Sequence, residues 1–117
     1  MIRNVLFVDD DREMLQALKE GLEKYRETFY VVLAEDGFDA VGKLKKNTIS
    51  LVVTDLKMPN ISGIDVLNYI NSNQIDTNVI VVSGENELST AIEVLTNGVK
   101  DFIRKPYTPD ELVFAIK

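Results

Sequence analysis

At 117 residues the chain suits one domain, with about two-thirds of its unfolded surface available for burial. It has no cysteine and no histidine, which excludes disulfides, thiolate or imidazole metal sites, thiol nucleophiles and Ser-His-Asp triads. The net charge of −6 disfavours direct nucleic-acid contact, because such binding relies on Lys and Arg to neutralise phosphates. Chemistry is left to Asp, Glu, Lys, Ser, Thr and Tyr. The longest apolar runs, such as Val79-Ile80-Val81-Val82, are too short to span a bilayer, and no signal-peptide pattern opens the chain. A cytoplasmic location with no membrane contact is expected.

The stretch from Asn4 to Val8 reads as a short apolar strand buried on both faces. It runs directly into Asp9, Asp10 and Asp11. Asp11 can cap the helix that follows, in which Met14, Leu15, Leu18, Leu22 and Tyr25 recur at helical spacing. A second strand covers Tyr30 to Ala34. After the Asp36-Gly37 turn, Phe38, Val41 and Leu44 form a weaker helical stripe. Leu51 to Thr54 is a third strand, closing on Asp55. Met58-Pro59-Asn60 breaks structure, since proline disfavours helix at the preceding residue. Ser62 and Gly63 lead into a third helix with Ile64, Leu67 and Ile70 inward.

Val79 to Val82 is the fourth strand, ending on Ser83-Gly84, and the fourth helix turns Leu88, Ala91, Ile92 and Leu95 inward before the Asn97-Gly98 cap. Asp101 to Arg104 is a short fifth strand, followed by Lys105-Pro106. Thr108, Pro109 and Glu111 carry the signature of a capping box opening the fifth helix. That helix has only about two turns before Lys117, a marginal length in isolation, so the domain is expected to be cut from a longer protein.

Five strands alternating with five helices predict a doubly wound parallel α/β sheet. Right-handed crossovers bring every strand's C-terminal end to one edge, where ligands of such folds sit. Asp9, Asp10, Asp55, Ser83 and Lys105 all arrive at that edge. Clustered carboxylates are hard oxygen ligands that suit Mg²⁺, and without a cation their repulsion pushes one of them towards protonation. A divalent ion plus an ammonium is what a phosphoryl group needs around it. A carboxylate among them can act as nucleophile and become an aspartyl phosphate.

On these residues the chain resembles the receiver domain of two-component response regulators. The match rests on Asp9-Asp10, Asp55 in Thr-Asp-Leu-Lys-Met-Pro, Gly63, Ser83-Gly84 and Lys105-Pro106, in order and spacing, over essentially the whole length. The resemblance implies a flavodoxin-like sheet of strand order 2-1-3-4-5. It implies that Asp55 accepts a phosphoryl group from a sensor histidine kinase or phosphotransfer protein. Asp9, Asp10, Asp55 and the backbone carbonyl of Lys57 would ligate Mg²⁺. Ser83 and Lys105 would contact the phosphoryl group, and the Lys105-Pro106 bond would be cis. Ser83 and Phe102 would form the switch, and the surface of helix four, strand five and helix five would be the output face. That face would act on an attached C-terminal output domain, a partner or a second copy. Such a domain catalyses its own phosphorylation and dephosphorylation and turns over no separate substrate. Lys57 and Glu85 flank the site; as a hypothesis, they pair across its mouth and slow hydrolysis, and an unchanged dephosphorylation rate in Lys57→Ala would reject this.

Blander readings stand beside several of these. Asp11 is explained fully as a helix cap, Asp36 and Asp39 as the start of a helix, and Asp101 as an exposed strand end. Tyr107 reads as packing or as a surface contact. Phe102, Ser83 and Lys105 would each pass as core, turn and surface residues if met alone. A haloacid-dehalogenase-type hydrolase needs two aspartates one residue apart followed by Thr or Val two further on. Here Asp9 and Asp11 are followed by Arg12 and Glu13, so that pattern fails. A receiver-shaped module that is never phosphorylated usually lacks an acid or the lysine, and none is lost here.

Overall fold

The computed structural model describes residues 3–56, 62–84, 99–105 and 107–116. In these, five parallel strands form one sheet in the order β2-β1-β3-β4-β5. The strands are β1 (Arg3–Val8), β2 (Phe29–Ala34), β3 (Leu51–Asp55), β4 (Asn78–Ser83) and β5 (Asp101–Arg104). The helices are α1 (Arg12–Gly21), α2 (Gly37–Lys46), α3 (Gly63–Ser72) and α4 (Pro109–Ile116). The fold class and strand order are those expected. Four of the five expected helices are described; the one expected around Leu88 to Leu95 lies outside the described residues, as does Met58-Pro59-Asn60.

Alternation along each strand divides the core into two layers. Leu6, Val8, Val52, Val79 and Val81 point to the side covered by α2 and α3, where Ala40, Leu44, Val66, Leu67 and Ile70 meet them. Val5, Phe7, Val53, Ile80 and Val82 point to the side of α1 and α4, against Leu15, Leu18, Leu112, Val113 and Ile116. Helices on both faces explain why β1, β3 and β4 are nearly continuous apolar runs.

The helix starts follow their caps. The Asp11 carboxylate accepts from the Glu13 and Met14 amides, as expected for an N-cap. Ser62 and Asp65 form a reciprocal capping box at α3. At α4 the Glu111 amide donates to the Thr108 hydroxyl, which donates back to the Glu111 carboxylate.

Three details differ from the expectation. Helix α1 stops at Gly21, and a separate 3₁₀ turn (Glu23–Tyr25) carries Tyr25. Gly21 packs closely on α4: a Cβ there would lie 2.7 Å from Pro109 Cγ. In α2 the inward stripe is Gly37, Ala40 and Leu44, with Phe38 66% exposed. Small residues let α2 approach the sheet, and the Asp36 cap sets a phase that turns Phe38 outward. In α3 the same effect makes Val66 fully buried, while Ile64 is only partly so.

Candidate functional site

Strand order places β1 and β3 side by side at the point where the winding reverses, the place where ligands of such folds sit. The register then fixes which residues share it. Val8 pairs with Thr54, which sets Asp9 level with Asp55. Asp55 pairs with Val82, and Ser83 with Arg104, so Ser83 and Lys105 follow in a staircase across the same edge. Backbone bonds pin each step: the Asp9 amide donates to the Ala34 carbonyl, the Leu56 amide to Val82, and the Lys105 amide to Ser83.

Asp9, Asp10 and Asp55 converge until one oxygen of each lies within 4.8 Å of the others. Asp9 and Asp55 are buried, only 4% and 5% exposed, whereas Asp10 faces solvent. Two buried carboxylates this close require positive charge. Lys105 supplies part of it, its Nζ lying 2.5 Å from Asp55 Oδ2 and 3.9 Å from Asp9 Oδ2. The oxygen-only donor set also fits a hard divalent cation, with exposed Asp10 on the side from which it would enter.

The protonation equilibria record this crowding. Burial raises the Asp9 pKa, assisted by the Asp55 and Asp10 charges and opposed by the Asp11 amide and by Lys105. Burial works against the Lys105 ammonium, but its hydrogen bond to Asp55 and the charges of Asp55, Asp9 and Asp10 outweigh this and raise its pKa. Lys105 is therefore cationic throughout the neutral range.

Ser83 is fully buried, and its hydroxyl donates to the Gly84 carbonyl at 3.2 Å. Phe102 pairs with Val81 and is half-buried against the α2–α3 side of the core. Gly63 packs onto the backbone beneath Asp55, its amide donating to the Leu56 carbonyl. A Cβ there would drive into the Asp55 carbonyl oxygen and come within 3.0 Å of Leu56 Cα. Close approach by α3 thus supports the strand end that carries the acid.

The model of the family described as "Response regulator receiver domain" matches residues 5–117. The chain belongs to this family. The receiver domain is 34% identical over 114 residues to hybrid signal transduction histidine kinase D of Dictyostelium discoideum, covering 96% of this chain and 7% of that protein. It is 32% identical to the cell cycle transcriptional regulator CtrA of Caulobacter vibrioides, covering 96% of this chain and 48% of that protein. The chain therefore spans about half or less of these relatives. A receiver domain structure from Clostridium thermocellum superposes with a TM-score of 0.88 at 32% identity, covering 98% of this chain and 91% of that one. A response regulator receiver protein from Pseudomonas putida gives 0.87 at 30%, covering 99% and 96%. No helix among the described residues is long and apolar enough to cross a membrane.

Of the residues expected in the site, the receiver domain brings together Asp9, Asp10, Asp55 and Lys105, with Ser83 and Phe102 on the neighbouring strands. Lys57, Glu85 and Pro106 lie outside the described residues. Asp11 stays apart as a cap, as expected. Of the two readings open for Tyr107, packing and a surface contact, the structure shows packing: it is buried with the α1–α4 side of the core. Burial, with the Asp9 and Asp55 charges, pushes its pKa up to about 12, so its phenol keeps its proton beside the acidic cluster. A lone tyrosine after proline carries no local signal for this.

Proposed function

We propose that this receiver domain is a phosphorylation-controlled module of the cytoplasm that takes a phosphoryl group from a sensor histidine kinase, or a phosphotransfer protein, onto Asp55. The observation that carries this is the buried Asp55 held against Lys105 beside Asp9 and Asp10. The Lys105 contact orients that acid, and the clustered carboxylates beside it suit a divalent cation. The hybrid kinase and the transcriptional regulator among its relatives support the same signalling class.

An Asp55 carboxylate oxygen attacks phosphorus as the P–N bond of a phosphohistidine breaks, and the bonding pair leaves with the imidazole nitrogen. Asp9, Asp10, Asp55 and the Lys57 carbonyl would hold Mg²⁺, which supplies positive charge to the phosphoryl oxygens. Lys105 exchanges its Asp55 contact for one to a phosphoryl oxygen, as a compact point charge. Ser83 exchanges the Gly84 carbonyl for another of these oxygens, and Phe102 turns into the space so released. Phe102 has no hydroxyl to anchor either orientation, so packing alone sets its bias. Water later attacks phosphorus, the Asp55 O–P bond breaks, and phosphate leaves; no separate substrate is turned over. The surface of the fourth expected helix, β5 and α4 carries the output. In support, Phe102, Ile103, Arg104, Asp110, Glu111 and Phe114 line one open groove there, with Phe114 87% exposed. An attached output domain, a separate partner or a second copy would read it.

Mass spectrometry after incubation with acetyl phosphate and Mg²⁺ tests the proposal. Wild type gains one phosphoryl group and Asp55→Asn gains none. No gain in wild type overturns it, and steady phosphate release from a simple phosphomonoester would reinstate a hydrolase.

A further inference from the structure

Against the acidic cluster, on the side of the α1–α4 core layer, lies a small cavity. It is lined by Phe7, Val8, Leu18, Val53 and Val82, and by three polar residues, Asp9, Asp55 and Tyr107. The space open to a water-sized sphere is about 10 Å³. One water requires roughly 10–15 Å³ of such space and two to four polar partners. The cavity thus has room for one water and no more.

Tyr107 supplies a second, independent observation. It is 9% exposed, and among the described residues its hydroxyl has no hydrogen-bond partner. A buried hydroxyl without a partner costs about 1–3 kcal/mol, and buried polar groups are almost always satisfied by protein or by ordered water. Tyr107 shares the lining of this cavity with Asp9 and Asp55.

We infer that this cavity binds a single ordered water through which Tyr107 positions the Asp9 and Asp55 carboxylates. The bonding count closes. Tyr107 donates its proton to the water oxygen, and the water donates one hydrogen to each carboxylate, making three bonds. A carboxylate offers about four acceptor sites and the water needs one on each, beside the Asp11 amide at Asp9 and Lys105 among the partners of Asp55. The two hydrogens lie between like charges and hold them at a fixed separation. Tyr107 is therefore a positioning residue for the cation site, and the inference rests on the metal reading proposed above.

Tyr107→Phe keeps the ring and removes only the hydroxyl. High-resolution crystal structures and calorimetric Mg²⁺ titrations of wild type and variant, with melting temperatures, test the inference. In wild type a water lies within hydrogen-bond distance of Tyr107 Oη and of both carboxylates; in the variant it is gone. Mg²⁺ affinity falls roughly tenfold, the low end for residues that orient metal ligands. A merely structural tyrosine would lower the melting temperature and leave Mg²⁺ affinity alone. No water at this position in wild type, or equal affinity in the two proteins, overturns the inference. A wild type that binds no Mg²⁺ at all overturns the metal reading beneath it as well.

Discussion

Replacing Gly63 by alanine isolates how much the site depends on close backbone packing. The new Cβ would press into the Asp55 carbonyl and lie within 3.0 Å of the Asp55 carbonyl carbon and of Leu56 Cα. All of these are backbone atoms at a strand end buried on both faces, so nothing swings aside cheaply. Overpacking of this kind costs about 1–3 kcal/mol. Against it stands the helix preference of alanine over glycine, at most about 1 kcal/mol and less at a first helical position such as this. Overpacking wins, and the net loss is about 1–2 kcal/mol. At about 4 °C per kcal/mol for a chain of this size, Gly63→Ala melts roughly 4–8 °C below wild type. Gly42, inside α2, is the matched control, because a Cβ there would meet nothing within 4 Å. Gly42→Ala should gain about 0.5–1 kcal/mol and melt a few degrees higher. Circular-dichroism melts and urea titrations of the three proteins decide it. If Gly63→Ala melts at or above wild type, the strand end can yield and the packing argument is wrong.

Other outcomes follow from the charges. Asp11→Ala should cost about 1 kcal/mol in urea unfolding, as the loss of an N-cap, with Mg²⁺ affinity unchanged in calorimetry; a large affinity loss would make Asp11 part of the metal site. Lys105→Ala leaves the Asp9 and Asp55 charges facing each other. It should melt below wild type in chelator and gain more from added Mg²⁺, and equal gains would refute this. Burial raises the folded Asp9 pKa above its unfolded value, so ionised Asp9 destabilises the metal-free fold at neutral pH. That penalty is full above the raised pKa and is relieved as pH falls through it. Asp9→Asn should therefore melt above wild type in chelator at pH 7, with the gap closing as pH falls into the carboxylate range. A gap independent of pH would reject burial as its cause.

The sequence alone determined the strands, most of the helix starts and the edge at which chemistry gathers. These are local matters: an apolar run must be buried, an acid closing such a run needs a partner, and Asp11 or Ser62 caps the helix beside it. Short-range spacing likewise marked Asp9, Asp10, Asp55, Ser83 and Lys105 as candidates. Tertiary structure decided what each residue touches. Lys105 reaches Asp55 across 50 residues of chain only because the β3–β4–β5 register steps them onto one level. Phe38 faces outward and Val66 inward because helix phase depends on how closely small residues let a helix approach the sheet. Tyr107 is buried with the α1–α4 side of the core and lines the cavity beside Asp9 and Asp55, a placement with no signature in neighbouring residues. Spacing along a chain dictates which way a side chain can point. The distance between two charges is set by elements that meet only once the sheet is complete.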